Sequence, residues 1–117
     1  MIHTILLVED EEDLRETMRE ALELNGYSVV ATCDGQEALE ALDGIEHICL
    51  VILDLLMPRM NGWDFFTKLR ERSALADVPV LVHSSAPKQA PAGVTRVLGK
   101  PLSFKRLLST VQEFCAV

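Results

Sequence analysis

The sequence predicts an α/β fold, a doubly wound five-stranded parallel sheet with helices on both faces. Three observations predict it. Short apolar runs alternate with amphipathic helical patterns along all 117 residues, the rhythm of βαβ units. The runs are continuous, as strands covered on both faces require. The clearest of them, Ile48 to Leu53, ends abruptly in Asp54, and Pro58 and Asn61-Gly62 then break the chain.

Ile5-Leu6-Leu7-Val8 is the first strand, followed by five consecutive acids, Glu9 to Asp13. Leu14, Met18, Ala21 and Leu22 then recur at helical spacing, with acids in the first turn to suit the dipole and Asn25-Gly26 as a stop. Ser28 to Ala31 is the second strand. Asp34 and Glu37 form a capping-box pattern opening a helix through Ala38, Leu39 and Leu42, which Gly44 closes. Ile48 to Asp54 is the third strand. Trp63, Phe66 and Leu69 mark one side of a helix running towards Arg72, and at this spacing they read as core. Val80-Leu81-Val82 is the fourth strand, with Ser84-Ser85 after it. Val94 to Leu98 is a weaker fifth strand, and Gly99-Lys100-Pro101 a turn. Ser103 caps a last helix carrying Phe104, Leu107, Leu108, Val111 and Phe114.

Size and composition point to one domain, residues 1–117, with a single core. A net charge of −7 argues against nucleic acid or an anionic membrane surface as a direct partner. No apolar stretch is long enough to span a bilayer, and the N-terminus lacks the pattern of a signal peptide. Cys33, Cys49 and Cys115 are odd in number and lack C-x-x-C spacing. They read as buried free thiols in a reducing cytoplasm.

In an open parallel sheet the C-terminal ends of the strands share one edge, where ligands bind. Glu9 and Asp10 follow strand one there, Asp54 closes strand three, Ser84 follows strand four and Lys100 follows strand five. Carboxylates gathered this closely repel unless they hold protons or share a cation. Oxygen donors without His or Cys favour a hard ion, Mg2+ before zinc. Lys100 and Ser84 suit the oxygens of a phosphoryl group, and an aspartate can itself be the nucleophile that accepts one. Taken singly, each residue has a plainer reading: a helix cap for Glu9 and Asp10, a turn for Asp54 and Ser84, a solvated charge for Lys100. Glu11, Glu12 and Asp13 read as a solvated helix start. His83 reads first as a strand residue packed against its neighbours, and secondly as a group touching the phosphoryl site or a partner. His3 and His47 carry no assigned role.

The segments LLVEDEEDLR, DLLMPRMNGW, PVLVHSS and GKPLSF, in this order, resemble the receiver domain of two-component response regulators over essentially the whole chain. The resemblance implies a flavodoxin-like sheet in the order 2-1-3-4-5. It implies that Asp54 accepts a phosphoryl group from a phosphohistidine of a sensor histidine kinase or phosphotransfer protein. It also implies that Mg2+ is held by Glu9, Asp10, Asp54 and the backbone carbonyl of Leu56, with Lys100 and Ser84 meeting the phosphoryl group. Leu56 and Ala86 match positions that tune dephosphorylation. The expected product is a cytoplasmic signalling receiver acting on an unnamed downstream protein. It is either a stand-alone regulator or a receiver from a longer chain, and it is not an enzyme beyond its own phosphorylation and dephosphorylation.

The sequence departs from that family twice. Residues 85–95 must supply the whole crossover between strands four and five, and they include Pro87, Pro91 and Gly93. About ten to twelve residues is the minimum for a crossover with its helix, so the fourth helix should be shortened or missing. Val97 stands where the family has an aromatic ring three positions before the lysine. Two rival functions remain open. A metal-dependent phosphohydrolase needs a second acid shortly after its nucleophile, whereas Leu55, Leu56 and Met57 follow Asp54. A non-phosphorylated interaction module would have lost a pocket residue, and every one is present.

Overall fold

Thr4–Val8 (β1), Ser28–Thr32 (β2), Ile48–Asp54 (β3), Val80–Ser84 (β4) and Arg96–Gly99 (β5) form one sheet in the order β2-β1-β3-β4-β5. Every pairing in it is parallel. The helices are Glu12–Leu24 (α1), Gly35–Leu42 (α2), Gly62–Glu71 (α3) and Phe104–Phe114 (α4). This computed structural model describes residues 3–115.

Strict alternation along the strands sorts their side chains into two buried layers. Leu6, Val8, Val51, Leu53, Val80 and Val82 face α2 and α3, where they meet Ala38, Phe65 and Leu69. Ile5, Leu7, Leu50, Ile52 and Leu81 face α1 and α4, where they meet Met18, Leu22, Leu107 and Val111. Burial on both faces is why the strands read as unbroken apolar runs. Phe65 is fully buried, although the expected core stripe of α3 ran through Trp63, Phe66 and Leu69. An apolar stripe wide enough to face a sheet takes in its neighbour as well.

Three helix starts carry side-chain caps, those at Asp34 and Ser103 as the sequence implied and that at Asn61, read there only as a chain break, in addition. Asp34 accepts the Glu37 N–H at 2.9 Å, Asn61 that of Asp64 at 2.9 Å and Ser103 that of Arg106 at 3.3 Å. The reciprocal arm of the Asp34–Glu37 box is displaced by one residue, because Glu37 accepts from Cys33 N–H at 3.1 Å. At the end of α1, Gly26 takes φ 92° and its N–H returns to Glu23 O at 3.0 Å. β5 starts at Arg96, two residues later than its apolar run suggested.

The crossover from β4 to β5 contains a single 3₁₀ turn, Pro87–Gln89, and no α-helix, the more complete of the two outcomes, shortened or missing, that its length and prolines suggested. Trp63, Ala90, Val94 and Val97 lie half-buried on that side of the sheet, and the Trp63 indole N–H donates to Gln89 O at 2.8 Å.

The cysteines correct the expectation of three buried free thiols. Cys49 and Cys115 form a disulfide, with Cα atoms 5.5 Å apart. The last helix packs back along the sheet and brings its end to the beginning of β3, a meeting that spacing in the sequence does not reveal. Cys33 is free but only partly buried. Burial and the neighbouring Glu37 and Asp34 carboxylates raise its pKa, which disfavours the reactive thiolate.

Candidate functional site

Glu9, Asp54, His83 and Lys100 continue the alternation of Leu7, Ile52, Leu81 and Leu98, so they emerge on the α1/α4 side of the sheet. Glu9 and Asp54 are buried. Lys100 reaches across from beyond β5, its Nζ 3.4 Å from Asp54 Oδ2 and 3.6 Å from Glu9 Oε1. Its backbone N–H donates to Ser84 O at 3.0 Å, which extends the β4–β5 ladder to the lysine. Asp10 is exposed, yet one oxygen each from Glu9, Asp10 and Asp54 lies within 4.8 Å of the other two.

The loops around this cluster are pinned. Glu9 Oε2 accepts the Glu11 N–H at 3.0 Å, and Arg15 Nη1 donates to the carbonyl oxygens of Glu9 at 3.1 Å and Asp10 at 3.4 Å. Behind Asp54, Gly62 donates its N–H to Leu55 O at 2.8 Å. A Cβ on Gly62 would lie 2.6 Å from both Asp54 O and Leu55 Cα, so only glycine permits this closure. Arg59 takes a left-handed φ of 63° and pairs with the buried Asp34. Gly35 N–H meets Met60 O at 3.1 Å. The β3–α3 loop is thereby tied to the start of α2. Arg15 and Arg59 were not singled out from sequence. Asp34 is legible as a cap, but its second partner lies 25 residues away.

The electrostatics follow from burial. Glu9 has its pKa raised from 4.5 to about 7, first by burial and then by the charge of Asp54, with Lys100 opposing. Asp54 is also raised by burial, although Lys100 pulls the other way. Lys100 is held above the ordinary lysine value, because Asp54 and Glu9 outweigh its own burial. The carboxylates therefore exceed what one ammonium neutralises, and an added cation would relieve the excess. The donor set is all oxygen, which fits a hard divalent ion.

Ser84 sits differently. It is buried and one residue out of step with His83, and its Oγ accepts the Ala86 N–H at 3.0 Å. Its hydroxyl is held by the loop it precedes and not by the carboxylates. Leu56, two residues beyond Asp54, is 55% exposed, and its backbone N–H makes a small contribution to lowering the Asp54 pKa.

The chain is similar to known proteins in sequence and in fold. The profile of the response regulator receiver domain matches residues 5–112. The response regulator MprA of Mycolicibacterium vanbaalenii is 34% identical over 114 residues, covering 92% of this chain and 48% of that protein. The chain thus spans about half the length of this curated relative. Among solved structures, the chemotaxis protein CheY4 of Vibrio cholerae superposes with a TM-score of 0.86 at 28% identity, covering 98% of this chain and all of that one. The signal receiver domain of a signal transduction histidine kinase from Syntrophus aciditrophicus gives 0.85 at 27% identity, covering 96% and 89%. With a family profile across nearly its whole length and a five-stranded sheet in the matching order, the chain belongs to the response regulator receiver domains of two-component systems.

Proposed function

We propose that this receiver takes a phosphoryl group on Asp54 from a phosphohistidine of a sensor histidine kinase or phosphotransfer protein. The observation that carries the reading is the Asp54 carboxylate, buried at the end of β3, with Lys100 Nζ at 3.4 Å and two further acids converging on it. In the transfer, a carboxylate oxygen of Asp54 forms the new O–P bond as the N–P bond of the donor breaks. The departing imidazole keeps the electron pair and takes up a proton.

Mg2+ is the cofactor that fits the oxygen donors, with Glu9, Asp10, Asp54 and the carbonyl of Leu56 as its protein ligands. When bound, it would supply positive charge to offset the carboxylates and the charge of an incoming phosphoryl group. Lys100 keeps Asp54 ionised for attack and then meets a phosphoryl oxygen. Ser84 Oγ accepts the Ala86 N–H and keeps its own O–H free to donate to the phosphoryl group.

The signal passes on by local change and docking to a downstream protein, because no crossover helix is present to be moved. Driving a two-state switch almost fully takes about 5.5 kcal/mol, and new charge-assisted hydrogen bonds from Lys100 and Ser84 supply about 1.5–3 kcal/mol each. Together they come to about 3–6 kcal/mol, just enough at the upper end. We place the domain in the cytoplasm, where the histidine kinases of such systems act. A reducing compartment would hold Cys49 and Cys115 as thiols.

Incubation with Mg2+ and a small acyl phosphate, followed by intact mass, tests the acceptor. The expected result is one base-labile phosphoryl adduct that is lost in Asp54→Asn. A wild type that forms no adduct with either a small donor or its kinase would overturn the reading.

A further inference from the structure

His83 is fully buried at the end of β4, and neither ring nitrogen has a hydrogen-bond partner among the described residues. One other buried side-chain atom there shares that condition, Glu9 Oε1. The two orphans face each other, His83 Nε2 lying 3.5 Å from Glu9 Oε1. Buried polar atoms are nearly always paired, and a separation about 0.5 Å beyond an ordinary N–H···O bond is a contact poised to close.

As a plain packing residue His83 is a poor choice. Its neighbours along β4, Leu81 and Val82, are apolar and fully buried, and an aliphatic side chain would fill the place without stranding two nitrogens. His83 also lies outside the group of acids whose oxygens converge, Glu9, Asp10 and Asp54. It stands behind that group, against the oxygen of Glu9 that the Glu11 N–H leaves unused. Carboxylates that ligate a metal are oriented by such outer donors. Lys100 Nζ is the other cation near Glu9 Oε1, at 3.6 Å, but it is shared with Asp54.

We propose that His83 is a positioning residue for the cation site: it donates its Nε2–H to Glu9 Oε1, fixes the aim of that carboxylate, and leaves the Lys100 ammonium to Asp54 and the group Asp54 carries. This rests on Glu9, Asp10 and Asp54 being the cation site. The donor needs only a proton on Nε2.

Calorimetric titration of Mg2+ into the metal-free chain tests both layers. Wild type, Asp10→Asn, His83→Gln, His83→Leu and His83→Val are compared, with urea midpoints recorded without metal. Glutamine keeps an N–H near the position of Nε2, whereas leucine and valine fill space and donate nothing. Loss of the donor should weaken Mg2+ binding about 10- to 100-fold in the aliphatic variants, with glutamine within about threefold of wild type. Their metal-free urea midpoints should not fall. Valine decides the matter if leucine does not fold. Aliphatic variants that bind Mg2+ as wild type does, or a glutamine variant as weak as they are, overturn the role of His83 alone. A wild type that takes up no Mg2+, or no more than Asp10→Asn, overturns the cation site and the proposal together.

Discussion

The indole N–H of Trp63 donates to the carbonyl oxygen of Gln89 at 2.8 Å, tying the first turn of α3 to the 3₁₀ turn that stands in place of a crossover helix. Trp63 is the chain's single tryptophan. Trp63→Phe should keep an aromatic ring against the α2/α3 core layer but lose the tether, costing about 0.5–1.5 kcal/mol in urea denaturation. In the wild type, Trp63 emission should shift when a phosphoryl mimic loads Asp54, because Ser84 and Gln89 belong to one short segment.

The same segment bears on how far the signal spreads. Backbone amide shifts with and without a phosphoryl mimic should concentrate in residues 84–95 and in the loops after β1 and β3. Changes centred on residues 102–114 would show instead that α4 is the moving part.

Gly62 supports the acceptor from behind. Gly62→Ala places a Cβ 2.6 Å from Asp54 O and Leu55 Cα, a backbone collision that no rotamer relieves. Overpacking of this kind costs about 1–3 kcal/mol. Phosphoryl uptake should drop along with the thermal midpoint, because the displaced atoms belong to the acceptor and its neighbour.

Cys49 and Cys115 are 66 residues apart in the chain. A cross-link closing a loop of that length stabilises by about 4 kcal/mol in the chain-entropy account. Reductant should therefore lower the urea midpoint of wild type and leave that of Cys49→Ala/Cys115→Ala unchanged. Alkylation followed by intact mass should label one thiol before reduction, Cys33, and all three after it.

The pH dependence of the metal-free protein should contain two opposed parts. Between pH 4.5 and about 7 the folded chain keeps a proton on Glu9 that the unfolded chain has released, so stability falls as pH rises through that window. His83 works the other way. Burial, with the charge of Lys100, lowers its pKa from 6.5 to about 4, so the unfolded chain takes up a proton that the folded chain refuses. That contribution falls as pH drops from 6.5 towards 4. Wild type should show a flattened profile where the windows overlap. His83→Leu should lose stability as pH rises through the Glu9 window, and Glu9→Gln should lose it as pH falls through the His83 window. Denaturant midpoints across pH 4–8 in chelator measure all three.

Much of this molecule was legible in its sequence because its strands are buried on both sides. Ile48 to Leu53 has to be apolar throughout, and Asp54 after it has to be the point where the sheet ends. The loss of the crossover helix was readable in part for an equally local reason, since Pro87, Pro91 and Gly93 leave room for at most one or two helical turns. What escaped was contact between distant segments. Cys49 and Cys115 read as separate apolar thiols until α4 folds back onto the start of β3. The stripe on α3 was drawn one residue too narrow and omitted Phe65. His83 read first as an ordinary strand residue and only secondly as a group near the phosphoryl site, since nothing along the chain shows that its ring would face the free oxygen of Glu9.

The alternation of the strands separates two things that one sheet edge holds close together. Glu9, Asp54, His83 and Lys100 emerge towards α1 and α4, while the abbreviated crossover lies over the opposite layer with Trp63, Val94 and Val97. The stretch between Ser84 and Arg96 is consequently a graft point. A full helix spliced in there would thicken the far side of the sheet and leave the carboxylates and their lysine untouched. Chemistry and readout in this chain lie on opposite faces of one sheet and meet at Ser84, whose Oγ accepts the Ala86 N–H of the crossover.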